Sequence, residues 1–204
     1  MACNPIGKND RRKNQFYKIT LWNNMAQMIA YFAVQNGNVQ LFDYIDMNCG
    51  AVPQGDFEQV IDPGAPHQFL SMYTQVAEKR FAFAVTELLK MNAGYIDALS
   101  DFCRRTGREL NVDEIDDMKK AFETMNSFVL DGMPCDETKE VIFVDERKVE
   151  WKKITDTHAD AWEKAGGNIA VYYRLQKDFI DGLFEKSHIT LHTDDYEKFS
   201  LERG

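Results

Sequence analysis

Two of the four histidines of this chain lie close together in EKSHITLH (185–192). Read as a helix, Glu185, His188 and His192 fall at i, i+3 and i+7 and share one face. Glu-x-x-His is the half-motif by which helical bundles hold two irons, and His-x-x-x-His is a zinc-ligand spacing. Read as a strand, His188, Thr190 and His192 share a face instead, in a His-x-Thr pattern compatible with two-histidine phosphoester chemistry. Both chemistries need a second half. His67 is followed by Gln-Phe and His158 by Ala-Asp, and neither supplies it. The expectation is therefore a polar junction where a helix ends and a short strand begins. Glu185, His188 and His192 remain weak metal candidates, and no cofactor and no catalytic residue is assigned.

Other clusters read as ordinary helix chemistry. Asp156, His158 and Asp160 in DTHAD precede AWEKA, where acids suit the first turn of a solvated helix. The acidic VDEIDD (112–117) lacks the Asp-x-Asp-x-Asp-Gly order of a calcium loop. There is no G-x-S-x-G, and GKND (7–10) and AGGN (165–168) lack the spacing of a phosphate cradle. Cys3, Cys49, Cys103 and Cys135 form no CxxC and no close pair, so they read as isolated thiols of a reducing compartment.

The elements that would carry these residues are mainly helical. Phe16, Ile19, Trp22, Met25, Ile29 and Phe32 recur at spacings of three and four, which predicts a helix over 15–35 ended by Asn36-Gly37. VQLFDYI (39–45) fits a strand or a helical turn. Residues 47–67 contain three prolines and three glycines and read as one long loop. A helical pattern runs from Gln68 to Gly107 with a break near Asn92–Gly94, and FAFAV (81–85) is apolar on every side. Asn111 and Glu114 suggest a capping box for a helix reaching about Leu130. EVIFVDERKVEW (140–151) reads as a β-hairpin. Helices follow from Thr157 and over 168–187, separated by Gly166-Gly167, and Thr193 could cap a last short helix. The expected fold is mainly α: a bundle of five or six helices with one hairpin insertion, in a single domain over 15–204 behind a basic arm over 1–14.

Charge supplies the functional reading. The chain carries a net −9, yet residues 1–20 hold a local +4 through Lys8, Arg11, Arg12, Lys13 and Lys18 against Asp10. From Ile19 through Glu78 there is no Lys or Arg, where even usage would place about seven. Helices facing water normally carry Lys, Glu and Arg, but the polar positions of the first helix are Asn23, Asn24, Gln27 and Gln35. Depletion of charge with enrichment of aromatics and Met is the composition of a covered surface. The expected interface residues are Arg11, Arg12, Lys13, Phe16, Trp22, Met25, Met28, Tyr31 and Phe32. The predicted role is a structural or interaction subunit of a larger, homo-oligomeric assembly, in the style of phage-type connector or adaptor components, with other protein chains as partners. A metal-dependent enzyme and an acidic regulator or inhibitor are the competing readings. Nucleic acid is disfavoured except at the basic arm, and no apolar run of 18 residues exists to span a membrane. The expected location is cytoplasmic, or virion for a phage-encoded chain.

Overall fold

The computed structural model describes residues 11–204. Residues 1–10, which hold Cys3, Lys8 and the start of the predicted basic arm, lie outside them. Eight α-helices and four short strands follow one another: α1 (Arg11–Gln35), α2 (Leu41–Cys49), α3 (Phe57–Val60), α4 (Pro66–Met91), α5 (Tyr95–Glu109), α6 (Met118–Phe128), β1 (Lys139–Val144), β2 (Lys148–Lys153), α7 (Ala159–Ala165), α8 (Ile169–Leu183), β3 (Ile189–His192) and β4 (Lys198–Arg203). No described helix is long and apolar enough to cross a membrane.

Helix α1 is the central rod, and its apolar spacing does put Phe16, Ile19, Trp22, Met25 and Ile29 into the core. It packs along α4. Trp22 reaches furthest, meeting the Phe81 ring edge-on at 4.9 Å and the Phe179 ring at 5.7 Å, while its indole N–H donates to the Phe128 carbonyl at 3.0 Å. One ring thereby ties α1 to α4, α6 and α8, and its single polar atom is satisfied on the way. The all-round apolar FAFAV of α4 is enclosed as its composition requires: Phe81, Ala82, Ala84 and Val85 are buried and Phe83 is partly so.

Helices α5 and α8 approach until their backbones touch. A Cβ at Gly107 would lie 2.0 Å from the Phe179 carbonyl oxygen, and one at Gly182 would lie 2.0 Å from that of Arg104. Glycine is required at both positions for the helices to cross this closely.

The hairpin of β1 and β2 belongs to a larger antiparallel sheet of order β1-β2-β4-β3. Val149 pairs with Leu201 and Trp151 with Phe199, and these four side chains form the sheet's buried face. Strand β4 replaces the short helix expected after Thr193. The caps foreseen there are real but close a turn: Thr193 Oγ1 accepts from Tyr196 N, and Asp195 accepts from the amides of Glu197 and Lys198. Tyr196, at φ +59°, reverses the chain between β3 and β4.

Two other expectations are corrected, and one alternative is decided. The proline-rich stretch 47–67 is divided by the end of α2 and by α3, so no single long loop exists there. Residues 41–45, which fit either a strand or a helical turn, are helical. Asn111 caps no helix start; at φ +52° it follows the end of α5, and α6 is capped by Asp117, whose carboxylate accepts from Lys120 N at 2.7 Å.

Candidate functional site

Two places gather unusual side chains: a buried charge cluster and an exposed surface without cations. The first is centred on His158, which is only 3% exposed. Asp156 starts α7 as the sequence suggests, accepting from the amides of His158 and Ala159. The imidazole does not stay at a solvated helix start, however. It turns inward, stacks on Tyr172 with ring centres 3.9 Å apart, and meets two carboxylates. Its Nδ1 lies 2.7 Å from Glu78 Oε2 on α4, and its Nε2 lies 3.4 Å from Asp131 Oδ1 in the segment after α6.

Both ring nitrogens face an acceptor, so the doubly protonated imidazolium satisfies the geometry. Burial alone would strip that proton. The Glu78 and Asp131 carboxylates outweigh burial and hold the His158 pKa up at about 10. Asp131 is itself gripped by Lys139 at 2.5 Å and by the hydroxyls of Thr138 and Thr157. Burial opposes its ionisation, but Lys139 and His158 keep its pKa well below the ordinary carboxylate value. Burial is also the main influence on Lys18 of α1, which with the neighbouring charge of Lys139 lowers the ammonium to about 8.

The cavity beside this cluster is about 30 Å³ and is lined by Asp131, Lys139, Lys153, His158 and Tyr173 among others. That volume accommodates one water rather than a substrate. Tyr173 donates to Asp156 at 2.8 Å, and Lys153 bridges Asp156 at 3.0 Å. These groups are engaged with one another, and among the described residues no nucleophile is aligned with His158. The cluster therefore joins α4, the α6–β1 segment, β1 and α7 across the centre of the protein and has no room for chemistry on a bound molecule.

The metal candidates do not converge. Glu185 lies in a 3-10 turn (Glu185–Ser187) and is paired with Arg108 at 2.5 Å. His188 follows in a left-handed conformation at φ +51°, and His192 lies on the exposed face of β3, 2.8 Å from Thr190 Oγ1. The helical register that would align these three is absent. Among the described residues no group of three or more His, Cys, Asp or Glu side chains is disposed to hold a metal ion.

The second place is the surface of residues 19–78. Part of the cation gap has an internal cause, because half of α1 is core. Of the expected interface residues, Phe16, Trp22 and Met25 are buried within this chain and cannot meet a partner in this fold. Asn23, expected on the polar face, is fully buried, and neither atom of its amide has a hydrogen-bond partner among the described residues. Arg11 and Arg12 are exposed in the first turn of α1, and Lys13 pairs with Glu58. Phe32 stacks edge-on against Tyr95 at 5.4 Å.

Met28 and Tyr31 remain outside that core. They form one wall of a cleft of about 300 Å³ between α1 and α5, completed by Phe32, Leu99, Phe102 and Arg105. Helix α2 buries only Leu41 and Ile45 and presents Phe42, Tyr44 and Met47 to solvent, with Val39 just before it. Val39 is 72% exposed and Met47 81%, and Met72 of α4 is exposed as well. The first arginine after the gap does not offset this surface. Arg80 is buried and held by Asp46 at 2.5 Å and the Gly50 carbonyl at 2.6 Å, fixing the end of α2 to α4.

Comparison with known protein families, with curated protein sequences and with solved structures gives no match for this chain.

Proposed function

We propose that this protein is a structural or interaction subunit of a larger protein assembly, homo-oligomeric in the simplest case, of the kind used as connectors or adaptors. One observation carries the reading. The surface of residues 19–78 exposes Met28, Tyr31, Val39, Phe42, Tyr44, Met47 and Met72 without one exposed Lys or Arg among them. Single exposed apolar residues are ordinary, but a cation-free set with three aromatics and three methionines on α1, α2 and α4 has interface composition. The α1–α5 cleft gives that surface a concave seat, and Arg105 at its rim makes no ion pair among the described residues. An apolar side chain flanked by a carboxylate is the complementary feature on the covering chain.

The test is the pair Met28→Lys and Tyr31→Lys. Both side chains are exposed, so the variant folds as the parent does by circular dichroism and thermal unfolding. Light scattering on the parent should give a mass above one chain, and the double variant should fall to a single chain. Identical masses for the two proteins would remove the cleft from the interface.

A further inference from the structure

The sheet offers a second docking surface, independent of the 19–78 face. Strand β1 is an edge: β2 pairs on one side, and the other side has no backbone partner among the described residues. Along it Val141, Ile142, Phe143 and Val144 are each between 44% and 47% exposed. Exposed edges are usually blunted by proline, by lysine in the strand, or by a covering element. Here the last four positions of the strand carry no charge and no proline, and the helices stop short of covering them. Val141 pairs with Trp151 and Val144 with Val149, so both lie on the face that β2 buries, one strand beyond the reach of α6. A register shift between Val141 and Phe143 interrupts the alternation, which exposes apolar side chains on both faces of the edge.

Charge distinguishes the two ends of this edge. At the Val144 end, a groove of about 450 Å³ runs between the hairpin tip and the start of α6. It is lined by Asp116, Asp117, Asp145 and Glu146 against the single cation Lys119. At the other end, Lys139 is turned inward to Asp131 and Glu140 pairs with Lys152. A second copy of β1 laid antiparallel on this edge would bring to the acidic groove an end whose lysines are already paired with Glu140 and Asp131, so self-pairing supplies no free cation there.

We propose that β1 accepts an extended segment of a partner protein that adds a fifth, antiparallel strand, with apolar residues alternating along its length and Lys or Arg at its N-terminal end. Main-chain hydrogen bonds to the free edge supply register, the apolar side chains extend the two uncovered faces, and the basic end enters the acidic groove. Antiparallel pairing follows the rest of the sheet and fixes which end of the segment is basic.

The experiment uses the full chain and three labelled peptides: RKVTVTVT, its reversed-polarity counterpart TVTVTVKR, and the acidic EEVTVTVT. Fluorescence anisotropy should show the first binding at least about tenfold tighter than the other two, with the advantage shrinking as salt rises. Amide exchange at 141–144 should slow on binding. Val141→Lys with Phe143→Lys, both exposed positions, should abolish binding while circular dichroism is unchanged. Equal affinity for all three peptides, no binding of the first, or slowed exchange at the α1–α5 cleft instead of β1 would overturn the proposal. So would β1 amides already slow in the protein alone with a mass that the two lysines halve, because a second copy then holds the edge. The Met28 and Tyr31 variants report on the assembly reading separately and should bind the first peptide as the parent does.

Discussion

The buried imidazolium has a measurable signature in the pH dependence of stability. In the unfolded chain His158 loses its proton near the ordinary value of 6.5, whereas in the folded protein it keeps it to about 10. Between those limits the native state binds one proton more than the unfolded state, so stability is fully present below about pH 6.5 and declines above it. Each pH unit is worth about 1.4 kcal/mol, so the decline from pH 6.5 to 8 is about 2 kcal/mol. Lys18 acts with the opposite sign. Its folded pKa of about 8 lies below the ordinary 10.5, so from pH 8 upward the unfolded state holds the extra proton and stability gains at the same rate. The two contributions cancel between about pH 8 and 10, and the curve flattens there. The assay is urea denaturation at several pH values for the parent and for His158→Gln. That variant leaves Glu78 and Asp131 buried beside a neutral side chain, which costs about 3–5 kcal/mol at pH 6.5. Burial raises the Glu78 pKa and loss of the imidazolium raises it further, so the variant also sheds stability as pH rises. The parent curve is therefore the readout, and a fall of about 2 kcal/mol from pH 6.5 to 8 is expected. A parent curve that is flat or rises over that range would refute a charged imidazole in the core.

Other consequences of the packing are as direct. Gly107→Ala and Gly182→Ala each drive a methyl group into a backbone carbonyl across the α5–α8 crossing. Each should lower stability by at least about 3 kcal/mol in chemical denaturation, at the upper end for overpacking. Asn23→Leu replaces a fully buried amide that has no partner among the described residues by an apolar side chain of similar size, and should raise stability by about 1–2 kcal/mol. His188 is exposed and left-handed, so His188→Ala should change stability by no more than about 1 kcal/mol, and His188→Gly should not destabilise. A loss of several kcal/mol at His188 would reopen the ligand reading of EKSHITLH.

The parts of the fold legible in the sequence are those whose signal is local. The three-and-four spacing of α1, the all-round apolar stretch of α4 and the break at Asn92–Gly94 each reflect neighbours within a few turns. Strand β4 carried its own sign, since Phe199 and Leu201 alternate with polar residues, but the polar run from Thr193 to Asp195 resembles a helix start equally well. What decides is β2, some fifty residues earlier, whose Trp151 and Val149 those residues pair with. The His158 cluster was illegible for the same reason: its carboxylates come from Glu78 and Asp131, far away in the chain, and DTHAD shows only the solvent-side acid. Asn23 was misplaced because an amide in a helix is normally a surface residue, and nothing in its neighbours marks it as buried.

The cation gap is now divided into two causes. One is internal, as Trp22, Met25 and Phe16 belong to the chain's own core. The other is the surface formed by Met28, Tyr31 and the outward side of α2, which the fold leaves open. Only the second supports a role in assembly. Its most direct test is the mass of the purified protein in solution by light scattering across a range of concentrations. A mass of two or more chains, reduced to one by Met28→Lys with Tyr31→Lys, is the expected result. A single-chain mass at every concentration, unchanged by those lysines, would contradict it.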